Sequence, residues 1–261
     1  MDQDVVAYYT DVYREDGRLD RRPQARLERA RTVELLREVL PPAPARVLDV
    51  GGGPGVYARV LTAAGYRVRL VDLVPGHVAL AAGGDPPIDA VVGDARALPE
   101  PPDSYDATLL LGPLYHLIRA EWRVTALREA ARVTRPGGRV VAAAISRFAA
   151  PIDFVATARL TGTEVAQAHA LLTSGVNDPS SPFTPAYFHR VSDLIAECEA
   201  AGLTDVVVHG VEGPAWPAAE AAVNGPLADT ILAQALDLAR VYSTEPALLA
   251  SSAHLLAVCQ A

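Results

Sequence analysis

One turn in the sequence combines a carboxylate with several glycines, a pattern that suits binding of a charged ligand against the backbone. Asp49 is followed closely by Gly51, Gly52, Gly53 and Gly55. Glycines allow a tight turn after a strand and leave room for a ligand to lie against the main chain. Asp49 favours a cationic or amine-bearing ligand over a phosphate. A dinucleotide site needs Gly-x-Gly-x-x-Gly, and the position three residues after Gly53 is Val56.

Short apolar runs alternate with helical stretches around this turn. We predict strands at Arg46–Val50, Arg67–Val71, Ala90–Val92, Ala107–Leu111 and Arg139–Ala144. The residues Pro136-Gly-Gly138 predict a tight turn before the last of them. Such alternation is typical of a mostly parallel sheet with helices on both faces. The sequence therefore predicts an α/β, Rossmann-like fold.

The other segments predict a helical cap and the rest of the sheet. Residues 1–42 form an expected N-terminal helical flap, which includes a helix over Arg22–Leu40. Residues 46–145 form the ligand-binding core, and residues 146–190 a lid insertion that is largely helical. Residues 191–261 complete the sheet, with helices at Val191–Ala201 and Leu227–Val241 and strands at Val206–Val211 and His254–Cys259. We expect one domain with seven strands.

The residues that follow each strand resemble a known family. Asp72-Leu73 ends the second strand, Asp94-Ala95 follows the third, and Leu111 leads the fourth into Gly112-Pro-Leu-Tyr-His-Leu117. Together with the Asp49 turn and the Pro-Gly-Gly turn, this order resembles the class I S-adenosylmethionine-dependent methyltransferases. The resemblance covers residues 46 to 145 and is far more specific than a glycine turn alone.

The resemblance implies the residues that bind the cofactor. Asp72 would hold the ribose hydroxyls and Asp94 would contact the adenine amine. Leu73, Ala95 and Leu111 would lie beside them, and the N-terminal flap would fold over the cofactor with Tyr8, Tyr9, Tyr13 and Arg31. The product would be S-adenosylhomocysteine. A lid over a small ligand is expected from the insertion.

The loop after the fourth strand should face the reacting atoms, because ligands of open α/β sheets lie beyond the carboxyl ends of the strands. This places Tyr115 and His116 there, and His116 is the best candidate for a general base. The insertion adds Tyr187 and His189 as further catalytic candidates. Two alternatives stay open: His116 closes the pocket without accepting a proton, and Tyr187 and His189 pack within the cap.

Composition excludes several other kinds of protein. All 23 basic residues are arginine, which rules out a Schiff-base or P-loop lysine, and the net charge of −8 disfavours a nucleic-acid substrate. The sequence has no apolar run long enough to span a membrane. Cys198 and Cys259 form no metal-binding or disulfide pattern, so we expect no metal site and a cytoplasmic location.

These observations predict methyl transfer from S-adenosylmethionine to a small aromatic or heteroaromatic, indole-like metabolite of natural-product biosynthesis. Carbon or nitrogen is favoured over oxygen as the acceptor atom, and the protein is expected to act as a monomer or homodimer. Two alternatives remain: an NAD(P)-dependent oxidoreductase, and a module that binds S-adenosylmethionine without catalysis.

Overall fold

The computed structural model describes residues 6–12, 17–177 and 183–261. Seven strands form one sheet in the order β3-β2-β1-β4-β5-β7-β6. The strands are β1 (Arg46–Val50), β2 (Arg67–Asp72), β3 (Asp89–Val92), β4 (Tyr105–Leu110), β5 (Thr134–Ile145), β6 (Thr204–Gly210) and β7 (His254–Gln260). Strands β1 to β5 are parallel, and β7 runs antiparallel between β5 and β6. This confirms the predicted seven-stranded, mostly parallel, Rossmann-like sheet.

Ten α-helices cover the sheet and its edges in the described residues. They are α1 (Arg18–Arg21), α2 (Pro23–Val39), α3 (Val56–Ala63), α4 (Pro75–Ala82), α5 (Ala120–Val133), α6 (Ala149–Ala156), α7 (Gly162–Ser174), α8 (Val191–Ala200), α9 (Trp216–Ala221) and α10 (Ala228–Val241). A short π-helical segment lies at Tyr8–Val12, and 3₁₀ turns lie at Leu114–His116 and Leu249–Ser251.

The central strands are apolar on both faces, because helices bury each face. Alternate residues point to opposite sides of a strand. Val47 and Leu109 pack with Leu35 of α2 on one face, in a cluster that also contains Leu61 of α3. Leu48 and Leu110 pack on the other face with residues of α5 and α8, including Leu127 and Leu194.

The strand register brings the acidic residues of the core to one edge of the sheet. Asp49 pairs with Leu70 of β2 and Leu109 of β4, and Asp72 pairs with Val92 of β3. The strand order reverses between β1 and β4, and such a switch point leaves a crevice outside the carboxyl ends of the strands. The loops after β1 to β4 therefore surround this crevice.

Residues of the insertion form α6 and α7 and then return to the sheet. Ala149 of α6 packs in a cluster with Trp216 of α9 and Leu27 of α2. His189 forms an isolated bridge with Ser146, at the end of β5. The helical part of the insertion is thereby joined to the N-terminal helices and to the sheet edge that carries the crevice.

The Pro136-Gly-Gly138 segment departs from its prediction. It lies inside β5 as an irregularity, where the register moves from Tyr105↔Thr134 to Ala107↔Arg139. Gly137 has a φ of 77°, which accommodates the extra residues without ending the strand. The chain bends there, but the strand continues.

The two cysteines lie side by side in the core. Cys198 of α8 and Cys259 of β7 are both buried free thiols and belong to the same apolar cluster. Within the described ranges, no helix has the length and apolar character needed to cross a membrane.

Candidate active site

A cavity opens at the carboxyl ends of β1, β2, β3 and β4. The loops after these four strands line it, with the N-terminal segment above them. The lining includes Gly51, Gly52, Gly53, Asp72, Leu73, Asp94, Ala95, Leu111, Tyr115 and His116 from the predicted site, and Tyr9 from the predicted flap. Arg18, Tyr57 and His77 line it as well, and the sequence did not indicate them. The structure thus brings together most of the residues expected to bind a cofactor.

The glycine turn after β1 packs closely against the loop after β4. Gly51 has a φ of 68°, and its N–H donates to the carbonyl of Val71 at 2.7 Å. A Cβ on Gly51 would lie only 2.8 Å from Cδ of Pro113. The turn leads into α3 through Gly55, the N-cap residue. A side chain at Gly51 would separate two walls of the cavity.

Asp49 is buried beneath this turn without a hydrogen-bond partner among the described residues. Both of its carboxylate oxygens are inaccessible and unpaired. Burial, reinforced by the nearby charge of Asp72, raises the pKa of Asp49 to about 7. A buried carboxyl group with no protein partner is unusual. Its position under the glycine turn fits a site for a ligand that carries positive charge.

Asp72 ties the glycine turn to the end of β2. Its Oδ2 accepts from the N–H of Gly53 at 2.8 Å, and its Oδ1 accepts from the N–H of Val74 at 2.8 Å. Nδ1 of His77 lies 3.2 Å from Oδ1. The carboxylate is therefore fixed at the cavity wall, where each oxygen can accept a further hydrogen bond from a ligand hydroxyl.

Asp94 lines the cavity after β3 and is engaged by Arg96. The Arg96 backbone N–H donates to Oδ1 at 2.8 Å, and its guanidinium donates to both oxygens. Burial opposes ionisation of Asp94, but the Arg96 contacts outweigh it and hold the pKa below its usual value. Asp94 is thus an ionised acceptor at the position that the resemblance assigns to adenine binding.

His116 occupies the 3₁₀ turn after β4, and a residue of the N-terminal segment contacts it. Its Nε2 lies 3.0 Å from the hydroxyl oxygen of Tyr9. Its Nδ1 is buried and has no partner among the described residues. Burial lowers the pKa of His116 to about 4, although the charge of Asp72 acts in the opposite direction. The imidazole is therefore neutral at pH 7 and able to accept a proton.

Tyr115 forms the wall next to His116, with ring centroids 4.6 Å apart. Of the four predicted catalytic residues, Tyr115 and His116 line the cavity, whereas Tyr187 and His189 do not. The hydroxyl of Tyr187 bonds with Arg147 and Asp193.

His189 is buried, and its Nε2 lies 3.2 Å from Oε2 of Glu197. Arg123 donates to the same carboxylate. The side chains of Tyr187 and His189 thus contact Arg147 and residues of α5 and α8, and they do not line the cavity.

Arg31 also lies away from the cavity. Its guanidinium pairs with Glu34 at 2.8 Å and donates to Oγ of Ser243 at 3.1 Å. Arg18 is the N-terminal arginine that the structure places at the cavity. No periodicity marks Arg18 in the sequence, because its partner Glu28 lies across the corner between α1 and α2. Tyr13 falls outside the described residues.

A buried polar network adjoins Arg18. Ligand atoms of Glu28, Glu212 and His254 lie within 4.8 Å of one another, a grouping that could hold a metal ion. Arg18 binds both oxygens of Glu28, at 2.8 and 2.7 Å. Nδ1 of His254 lies 2.5 Å from Glu212, which also accepts from Ser252. These contacts make the grouping a charge-compensated ion-pair network, which needs no metal to satisfy its carboxylates.

The cavity residues fit S-adenosylmethionine. The carboxyl groups of Asp72 and Asp94 suit the ribose hydroxyls and the adenine amine, and the glycine turn leaves a surface free of side chains. The guanidinium of Arg18 also lines the cavity, where it could bind the carboxylate of an amino-acid group, and the unpaired carboxyl of Asp49 is buried beneath the glycine turn.

Comparisons with known proteins agree with this geometry. Residues 48–142 match a family model described as a methyltransferase domain. The chain is 37% identical over 101 residues to a demethylmenaquinone methyltransferase of Renibacterium salmoninarum. That match covers 39% of this chain and 41% of the relative, so it spans about two fifths of the relative's length.

Solved structures extend the likeness in fold to almost the whole chain. A possible histamine N-methyltransferase from Thermotoga maritima gives a TM-score of 0.62 at 17% identity, covering 100% of this chain and 99% of that one. Phosphoethanolamine N-methyltransferase 2 of Haemonchus contortus, solved with S-adenosyl-L-methionine, gives 0.59 at 15% identity, covering 98% and 59%. At these identities the likeness shows the fold alone.

The nicotinamide-dependent alternative loses its support, because its glycine spacing is absent and the matching domain is a methyltransferase domain. The chain therefore carries a methyltransferase domain over residues 48–142, and the fold built around it is that of solved S-adenosylmethionine-dependent methyltransferases.

Proposed function

We propose that this protein transfers a methyl group from S-adenosylmethionine to a small aromatic or heteroaromatic metabolite, at carbon or nitrogen rather than oxygen. The proposal rests on one observation: residues that suit the cofactor and a residue that could accept a proton line the same cavity. Asp72 and Asp94 form its cofactor side, and neutral His116 stands on the loop after β4. When bound, S-adenosylmethionine supplies an electrophilic methyl group on a sulfonium.

We assign the aromatic and apolar residues of the cavity to the acceptor. Tyr9, Tyr115 and His116 line the cavity together with Leu19 and Leu117. Such walls orient a flat ring by contact and exclude water, and positioning of this kind accounts for much of the rate of a displacement. The name of the related demethylmenaquinone methyltransferases supports a small ring-bearing acceptor. An indole-like or quinol ring fits both arguments.

His116 would receive the proton that the acceptor loses on methylation. A neutral imidazole at pH 7 has a free lone pair for this purpose. The net charge of −8 favours a small molecule over a nucleic acid as the substrate. We place the enzyme in natural-product biosynthesis, acting as a monomer or homodimer.

Calorimetric titration with S-adenosylhomocysteine tests the cofactor half of the proposal. We expect saturable binding at submillimolar ligand, and Asp72→Asn should weaken it at least about tenfold, because a charged acceptor for the ribose hydroxyls is lost. Asp106→Asn is the matched control, since Asp106 lies at the opposite edge of the sheet, where it accepts from the N–H of Arg46. Absence of binding would refute the assignment.

Transfer of labelled methyl to a panel of indoles, quinols and phenols tests the other half. Labelled product with a ring acceptor supports the proposal. Binding of S-adenosylhomocysteine without transfer to any member of the panel would favour the remaining alternative, a module that binds the cofactor without this catalysis.

A further inference from the structure

Tyr9 joins the N-terminal segment to the loop that carries His116. The two residues are 107 positions apart in the sequence, and the Tyr9 hydroxyl lies 3.0 Å from Nε2 of His116. Both residues line the cavity. A hydrogen bond between two cavity walls from distant parts of the chain indicates that they act together.

The ring of Tyr9 is held between two imidazoles. Its centroid lies 5.3 Å from that of His77 and 5.5 Å from that of His116, with interplanar angles of 63° and 87°. His77 in turn contacts Asp72, on the cofactor side. The phenol therefore has a fixed position between the cofactor side and the loop after β4, and edge-on aromatic contacts of this kind are favourable.

The methyl acceptor cannot reach Nε2 of His116 directly, because the Tyr9 hydroxyl occupies the hydrogen-bonding position of that nitrogen. A hydroxyl group is both a donor and an acceptor. If Tyr9 donates its proton to Nε2, its oxygen can still accept a proton from a molecule in the cavity. The imidazole of His116 is in contact with the rings of Tyr115, Phe183 and Tyr9. The charge of Asp72 acts to raise the pKa of this imidazole, against the larger effect of burial.

We propose that Tyr9 is the residue that touches the methyl acceptor and relays the acceptor's proton to His116. The inference rests on the function proposed above and adds a catalytic residue to it. As the acceptor's ring atom bonds to the methyl group, its proton passes to the Tyr9 oxygen, and the Tyr9 proton passes to Nε2. Tyrosine ends neutral, and the imidazolium later loses its proton to water.

The protonation state of His116 tests the direction of the hydrogen bond without any turnover. In ¹⁵N-histidine-labelled protein saturated with S-adenosylhomocysteine, NMR should show His116 with its proton on Nδ1 and a hydrogen-bonded, unprotonated Nε2. Tyr9→Phe should remove that hydrogen-bond shift, while Tyr8→Phe, whose ring packs against Phe183, should not. A proton on Nε2 in the wild type, or no change in Tyr9→Phe, would overturn the relay.

Turnover with an acceptor found in the panel tests the relay itself. Tyr9→Phe keeps the ring, so we expect S-adenosylhomocysteine to bind within about twofold while kcat falls on the order of 100-fold, the usual size of a general-base effect. The glutamine of His116→Gln can still form a hydrogen bond with Tyr9 but cannot accept a proton, so kcat should fall as much as in Tyr9→Phe. The double variant should be no slower than either single one.

The possible failures are distinguishable. Loss of S-adenosylhomocysteine binding in the wild type would refute the function, whereas normal binding with an unchanged kcat in Tyr9→Phe would refute the relay alone. A rise in KM with kcat unchanged in Tyr9→Phe would reduce Tyr9 to a wall of the acceptor site.

Discussion

The backbone N–H of Tyr187 donates to the carbonyl oxygen of Tyr115 over 2.7 Å, so the insertion is bonded directly to the loop that lines the cavity. The side chain of Tyr187 points to other partners. Cζ of Arg123 lies 3.7 Å from its ring centroid, and Arg123 also donates to the carbonyls of Leu117 and Ile118. Tyr187 therefore stabilises the loop that carries His116, through contacts that lie outside the cavity.

Tyr187→Phe should consequently have little effect on activity. The ring and the backbone hydrogen bond remain, so we expect kcat and the affinity for S-adenosylhomocysteine to stay within about threefold. Tyr187→Ala removes the ring that Arg123 stacks on and should lower the free energy of unfolding by about 3 kcal/mol, measured by urea denaturation. A loss of kcat in Tyr187→Phe as large as that expected for Tyr9→Phe would place Tyr187 at the reacting atoms.

The meeting of Asp72 and Asp94 at one cavity could be predicted from the sequence, because their strands fix where they lie. Asp72 and Asp94 follow the ends of β2 and β3, and register alone brings them to one edge. The glycine turn is equally local. Strand order and the carboxyl-end rule then predict where the cavity opens, so no knowledge of distant side chains was needed.

Residues whose placement depends on distant partners could not be predicted in this way. Tyr187 and His189 follow the sheet's ligand edge in sequence, but Arg123 and Glu197 of α5 and α8 attract their side chains. Arg31 and Arg18 belong to neighbouring helices, and the contacts of Arg31 with Glu34 and Ser243 hold it away from the cavity that Arg18 lines. Such choices depend on tertiary packing, which a single sequence does not display.

The raised pKa of Asp49 predicts a stability that falls as pH rises. The folded pKa of about 7 lies above the ordinary value of 3.8, so the folded protein keeps a proton that the unfolded chain releases. Between these values the free energy of unfolding should decrease with pH. Asp49→Asn removes the cost of ionising a buried carboxyl group. The variant should therefore be more stable than the wild type at pH 8, by up to about 4 kcal/mol, with little difference at pH 4.

Urea denaturation of both proteins from pH 4 to pH 8 measures this difference. Asp94→Asn is the matched control, because Arg96 lowers the pKa of Asp94 and both folded and unfolded forms are ionised above pH 5. Its effect should not change between pH 5 and pH 8. A pH-independent effect of Asp49→Asn would show that Asp49 is ionised throughout.

His254 should give a second pH dependence. Burial opposes its protonation, but Glu28 and Glu212 outweigh burial and raise the pKa of His254 to about 9 from 6.5. The ionised imidazole therefore stabilises the fold fully below pH 6.5, and this contribution is lost as pH rises through 9. His254→Gln should cost about 3 kcal/mol more at pH 6 than at pH 10.

His209→Gln is the control for His254, again by urea denaturation. Burial lowers the pKa of His209, so this imidazole is already neutral and its replacement should have a constant effect between pH 7 and pH 10. If His254→Gln also had a constant effect over that range, the charge on His254 would not be part of the network.

Arg18 should recognise the amino-acid end of the cofactor. Glu28 holds its guanidinium, and Arg18 lines the cavity together with the glycine turn and Tyr57. An arginine in that position forms strong paired hydrogen bonds with a carboxylate. Arg18→Met should therefore weaken the binding of S-adenosylhomocysteine at least about tenfold, which is about 1.4 kcal/mol of binding free energy, as measured by calorimetry. Binding of 5′-methylthioadenosine, which lacks the amino-acid group, should not change.

The ratio of the two affinities removes any general effect of leaving Glu28 unpaired, because both ligands experience it equally. Arg31→Met is the matched variant, since Arg31 pairs with Glu34 and Ser243 away from the cavity. It should lower stability without altering the ratio. A changed ratio in Arg31→Met with an unchanged ratio in Arg18→Met would return the cofactor contact to Arg31, and it would require α2 to turn its buried arginine toward the cavity in the bound state.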